Sequence, residues 1–165
     1  MNRLLATALF PTLLLGFWCT PSAALEFGAQ APALSLPDAE GTPLPSANGQ
    51  VRLVDFWASW CGPCRHSFPW MNAMQQKYGA QGLQIVGVNV DEERADADRF
   101  LAKVPASFQI VFDPSGETPA AWSVKGMPTS YLVGRDGKVL WRHLGFNVAD
   151  APELEAAIES ALGTP

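Results

Sequence analysis

Two cysteines three positions apart, Cys61 and Cys64, stand in the run Trp60-Cys61-Gly62-Pro63-Cys64. A loop this short loses little chain entropy on closing, so a bond between them adds far less stability than a disulfide spanning a long loop. The spacing suits reversible thiol–disulfide exchange, in which one thiolate attacks a disulfide and a second thiol resolves the mixed disulfide that forms. The pair lies between an apolar run of strand length, Val51-Arg-Leu-Val-Asp-Phe-Trp57, and a stretch with helical spacing at Phe68, Met71, Met74 or Gln75, and Tyr78. A Cys-x-x-Cys between a strand and a helix is a stronger redox signal than its spacing alone. If the helix begins at the motif, Pro63 suits its first turn, where a backbone N–H would lack an intrahelical partner anyway. Cys61 then sits at the helix N-terminus, where free N–H groups and the positive end of the dipole favour the thiolate and draw its pKa from ~8.5 toward ~7. That makes Cys61 the nucleophile and Cys64, one turn further in, the resolving cysteine.

The elements that must position this pair alternate along the chain. After the helix, Gly79 and Gly82 stop it, and residues 83–90 read as a second buried strand. Residues 94–103 form a charged amphipathic helix with Phe100 and Leu101 facing inward, and residues 108–112 a third strand. A short helix around 117–124 leads to Met127-Pro128. Strands at 129–133 and 138–144 follow, joined by the turn Gly134-Arg-Asp-Gly137. The chain ends in a helix that Asp150 can cap, with Glu153 three residues on and Leu154, Ile158 and Leu162 as its stripe. Strand and helix in alternation, closed by a hairpin, describe an α/β fold with a mixed central β-sheet flanked by helices.

The chain has 165 residues and a net charge of −5, the wrong sign for a protein that must neutralise phosphates, so nucleic acid is not an expected partner. Its first 24 residues stand apart. A basic start at Arg3, an uncharged and mainly apolar run through Trp18, and small residues at Ser22 and Ala24 describe a signal peptide cleaved after Ala24. The stretch 4–25 would also span about 33 Å as a helix, long enough for an uncleaved membrane anchor. Lipidation at Cys19 is disfavoured, because Phe17 and Trp18 precede it where small residues are wanted. Export places the chain where disulfides persist, and cleavage leaves Cys61 and Cys64 as its cysteines. Residues 25–50, rich in Pro, Gly, Ala and Ser, form an N-terminal extension with a hairpin or loop near 33–36. Residues 51–165 form the domain proper.

Val54-Asp-Phe-Trp-Ala-Ser-Trp-Cys-Gly-Pro-Cys64, with Gly126-Met-Pro-Thr129 further on, resembles the thioredoxin superfamily. The exported start, the loop-rich extension, Val88-Asn-Val-Asp-Glu92 and the helix after it are similar to the extracytoplasmic, thioredoxin-like branch of the redoxins, which includes the cytochrome c maturation reductases. The resemblance runs from about Ala31 to Leu162. It implies a thioredoxin fold with an N-terminal extension and an inserted βα element, a Cys61–Cys64 disulfide in the oxidised state, and a cis peptide before Pro128. It also implies thiol–disulfide oxidoreductase activity on protein disulfides, periplasmic location, a membrane protein as electron donor, no cofactor, and a monomer. Trp60, Gly62, Pro63, Met127 and Pro128 would line the substrate site. A cis Met127–Pro128 bond beside the cysteines would leave the Met127 N–H and C=O to pair with an extended client as an added strand. Asp55, a carboxyl group in an apolar strand where burial raises a pKa, matches the buried acid that assists proton transfer at the resolving cysteine. Relatives in the cytochrome branch often carry glutamate three residues after the second cysteine; this chain has Ser67.

Other readings weigh less. A peroxidase of the same superfamily needs threonine three residues before its reactive cysteine, and Ala58 stands there. Cys61, Cys64, His66 and His143 make four zinc or copper ligands on paper, but His66 projects from another side of the helix than Cys64, and no metal is expected. A non-catalytic metallochaperone or holdase using the Met127-Pro128 groove remains as the binding-module alternative. Arg65 and His66 could tune the field near Cys61, but a solvated helix face is the expected place of both. Trp60 is expected to be exposed over the site, whereas Trp57, Phe68, Trp122 and Trp141 are expected to pack.

Overall fold

A computed structural model describes residues 25–38, 41, 44 and 49–163. The expected signal peptide at residues 1–24 and its alternatives, an anchor and Cys19 lipidation, fall outside the described residues. Among those that are described, no helix is long and apolar enough to cross a membrane.

The central strand is β1 (Val51–Trp57), buried along its whole length. It pairs in parallel with β2 (Leu83–Asn89), which pairs in parallel with β3 (Gln109–Phe112). On its other edge β1 pairs antiparallel with β4 (Thr129–Val133), and β4 with β5 (Val139–Leu144). The order is β3-β2-β1-β4-β5, a mixed five-stranded sheet as expected. The helices are α1 (Cys64–Tyr78), α2 (Arg94–Leu101), α3 (Glu117–Ala121) and α4 (Ala151–Gly163). With β3, α2 forms an added α2–β3 unit that widens the sheet beyond β2.

Because successive strand residues point to opposite faces, β1 serves two cores. Val51, Leu53 and Trp57 pack with Phe68 and Met71 of α1, Phe100 of α2 and Ile158 of α4. Val54 and Phe56 pack on the opposite face with Val86, Val88, Trp122 and Tyr131. Leu25, Ala31, Leu34, Leu36 and Leu44 of the N-terminal segment also cover this second face. The segment does not pair with itself among its described residues. It makes isolated bridges at the two edges of the sheet, Gln30 to Lys138 beside β5 and Asp38 to Val111 of β3, and so crosses a face that would otherwise be wet.

The periodic face of α1 falls where expected, with Met74 buried. Gln75 instead reaches β2, donating from Nε2 to the Leu83 carbonyl and accepting at Oε1 from the Ile85 N–H. The entry to the last helix differs from the expectation. Asn147 is the cap, accepting from the Ala149 N–H, and Asp150 reaches back to the Asn147 N–H to close a capping box. A 3-10 turn at Val148–Asp150 starts the helical path before α4, so Asp150 is already inside it rather than ahead of it.

Candidate active site

The turn that leaves β1 carries Cys61 just ahead of α1 and Cys64 as the first residue of that helix, and the two are joined in a disulfide. The Cys61 N–H donates to the Ala58 carbonyl, which tightens the turn, and Pro63 adopts helical backbone angles at the cap of α1. The Cys64 N–H points back at Cys61 Sγ, 3.2 Å away. That contact is the helix-terminal donor expected to favour a thiolate at Cys61. Cys64 is fully covered and Cys61 retains 3% of its surface, so the oxidised pair is shielded and the asymmetry of access is slight but in the expected direction. Trp60 is 70% exposed beside it, and Gly62 and Pro63 are exposed on the same turn.

The turn is held from below. Asp91 accepts from the Ser59 N–H, the Ser59 hydroxyl and the Asn89 side-chain amide, while Asn89 Oδ1 accepts from the Asp91 N–H. This network ties the residues just before Trp60 to the end of β2. The sequence reading did not assign Asn89 and Asp91 a place at the site, although polar residues closing an apolar strand were the available signal.

The Met127–Pro128 bond is cis. Pro128 is buried, and Met127 packs against the cluster that contains Cys61 and Cys64. The Pro128 carbonyl accepts from the Gly145 N–H and the Thr129 hydroxyl donates to the Gly126 carbonyl, whereas among the described residues the Met127 N–H and C=O have no hydrogen-bond partner. A strand-like pairing edge is therefore left open next to the disulfide.

Asp55 lies on the face of β1 that carries Leu53 and Trp57, the face covered by α1, and is 1% exposed. Its Oδ1 accepts from Ser130 Oγ at 2.6 Å and its Oδ2 has no hydrogen-bond partner. Burial pushes its pKa up to about 7, the Ser130 hydrogen bond opposing this. Ser130 was missed by the sequence reading, because its place opposite Asp55 is a matter of register between β1 and β4. The four paper metal ligands do not gather. His66 lies on the exposed side of α1, and His143 on β5 stacks on Trp141 and sits 3.3 Å from Asp150 Oδ2. Among the described residues no three His, Cys, Asp or Glu side chains are grouped to hold a metal.

The chain is similar to proteins already described. A model of the Redoxin family matches residues 26–158. Thiol-disulfide oxidoreductase ResA of Geobacillus thermodenitrificans is 34% identical over 138 residues, which cover 82% of this chain and 79% of that protein. Thiol:disulfide interchange protein CycY of Rhizobium leguminosarum bv. viciae is 37% identical over 150 residues, covering 88% of this chain and 79% of CycY. A Chlorobium tepidum structure described under the name thiol:disulfide interchange protein DsbE superposes with a TM-score of 0.81 at 55% identity, covering 84% of this chain and 99% of that one.

Proposed function

The chain belongs to the Redoxin family and is a thiol–disulfide oxidoreductase, and from that premise we propose that it reduces disulfides of exported proteins in the periplasm. The observation that carries this reading is the Cys61–Cys64 pair at the N-terminus of α1, set beside the unpaired Met127 N–H and C=O. An extended client pairs with Met127, its disulfide facing Cys61, with Trp60, Gly62, Pro63 and Pro128 lining the contact. The Cys61 thiolate attacks one client sulfur. A mixed disulfide forms, and the other client sulfur leaves as a thiolate and takes up a proton. Cys64 then passes its proton to Asp55 and attacks Cys61 Sγ. The protein disulfide forms, the second client thiol is released, and two electrons have moved from protein to client.

The reduced form must be regenerated, and a membrane-bound thiol donor is the partner the reading requires. The direction is assigned from Gly62-Pro63, which resembles the dipeptide of reducing thioredoxins and places the couple at about −270 to −200 mV rather than near −120 mV. Export rests on the leader at residues 1–24, with retention of that segment as an anchor as the alternative. The protein acts as a monomer, with residues 25–50 as an extension of the domain 51–165.

The test is trapping. Cys64→Ala should accumulate client proteins as mixed disulfides on Cys61, and Cys61→Ala should hold almost none. Equal trapping by both variants, or by neither, would reject the assigned roles, and a titration against glutathione that returned a potential near −120 mV would reverse the direction.

A further inference from the structure

We propose that a basic cleft beside the disulfide binds a carboxylate of the substrate, so that this enzyme favours disulfides flanked by an acidic residue. The inference rests on the exchange reading above and goes beyond it by naming the chemistry of the preferred substrate. The cleft, of about 200 Å³, is lined by Ser59, Arg65, Asp96, Arg99, Phe100 and Lys103. Ser59 lies two residues before Cys61 and Arg65 directly follows Cys64, so two residues that flank the cysteine pair in the chain form part of the cleft wall. The sheet order places it on a definite side. The cysteine turn leaves β1, the cis-proline loop leads into β4 on one flank, and α2 follows β2 on the other. A client paired with Met127 and crossing Cys61 reaches α2 next.

Three cations meet here in a chain whose net charge is −5. The Arg65 guanidinium lies over the Phe100 ring, 5.2 Å from its centroid, which holds it at the wall of the cleft. Neither the Arg65 nor the Lys103 side chain has an ion-pair or hydrogen-bond partner among the described residues. Arg99 is engaged by Asp96, one turn earlier on α2. Asp91, which holds Ser59 of the cleft wall, accepts hydrogen bonds from Ser59 and Asn89 and is 6% exposed. Asp96 and Asp91 are therefore both engaged, while one fork of guanidinium donors and one ammonium are left to a ligand. A carboxylate matches them, accepting bidentate hydrogen bonds from Arg65 and pairing with the Lys103 ammonium.

The carboxylate can come from a client side chain or from the terminal carboxylates of a small thiol such as glutathione, and kinetics distinguish them. The reduced full chain is mixed with fluorogenic disulfide peptides that differ only in having Glu, Gln or Lys next to the attacked cysteine, and separately with oxidised glutathione. At ~0.01 M salt, where charges act over ~30 Å, the Glu peptide should react roughly 2- to 5-fold faster than the Gln peptide, and the ratio should collapse at ~1 M. The Arg65→Gln/Lys103→Gln double variant should bring the ratio to about one, Arg65→Lys, which keeps the charge and loses the fork, should keep only part of it, and Arg142→Gln, which removes an exposed cation on β5, should leave it unchanged. If the double variant slows oxidised glutathione by the same factor as the Glu peptide, the small thiol is assigned, and a slowing confined to the Glu peptide assigns the client. A Glu-to-Gln ratio near one in the wild type, with all peptides reduced, overturns the carboxylate site while exchange stands. Failure to reduce any peptide overturns both.

Discussion

Replacing Asp55 by asparagine separates the burial of a carboxyl group from the burial of its charge. The side chain is enclosed by the sheet and α1, with Ser130 Oγ donating to Oδ1 and Oδ2 unpartnered, and burial raises its pKa from 3.8 to about 7. Below pH 3.8 the group is protonated in both folded and unfolded chains, and ionisation costs the fold nothing. Between pH 3.8 and 7 the unfolded chain releases the proton and the folded chain keeps it, so stability falls as pH rises. Above pH 7 the full penalty stands, about 4 kcal/mol at 1.36 kcal/mol per pKa unit. From pH 5 to pH 8 this one group removes roughly 2–3 kcal/mol. Asparagine keeps the size and the acceptor facing Ser130 but does not titrate. In urea unfolding of the oxidised proteins, followed by tryptophan fluorescence, the wild type should lose that much more stability than Asp55→Asn across the interval. The corresponding difference in Tm is roughly 5–10 °C, with other titrating groups cancelling between the two proteins. Parallel pH profiles would refute the reasoning, since a carboxyl group that ionises like an exposed one holds no proton at neutral pH and gives burial no role in tuning it.

The same variant should slow release of the mixed disulfide more than its formation, because the proton that limits release belongs to Cys64; stopped-flow traces of the two phases check this. In the reduced protein, iodoacetamide followed by peptide mapping should label Cys61 before Cys64, given the Cys64 N–H aimed at Cys61 Sγ and the complete covering of Cys64. Gly87→Ala should cost about 1–3 kcal/mol in urea unfolding, since a Cβ there would lie 2.9 Å from Ile110 Cδ1 and 3.1 Å from both Phe108 Cε2 and Trp57 Nε1. Phe68→Ala should cost about 3–5 kcal/mol, because the ring packs within 5.2 Å, centroid to centroid, of Trp57, Phe100 and Phe108.

The order of elements and the cysteine chemistry were legible in the sequence because both are local. Apolar residues at helical spacing on α1, the unbroken apolar run of β1, and a Cys-Gly-Pro-Cys between them each act within a turn or a strand. Resemblance supplied the cis bond at Pro128, which no local pattern would have favoured over trans. Three features were decided by packing between distant segments. Ser130 meets Asp55 only through the β1–β4 register, and a slip of one residue would turn it to the other face. The N-terminal extension, rich enough in Pro, Gly, Ala and Ser to read as a hairpin or loop, finds its place because the second face of the sheet needs apolar cover. Arg65, read as part of a solvated helix face, becomes one wall of a cleft only when α2 sets Phe100, and the turn after it Lys103, against it. Local propensity and spacing identify which residues can do chemistry, whereas the field around them comes from segments far away in sequence, and only the folded chain brings those charges and voids together.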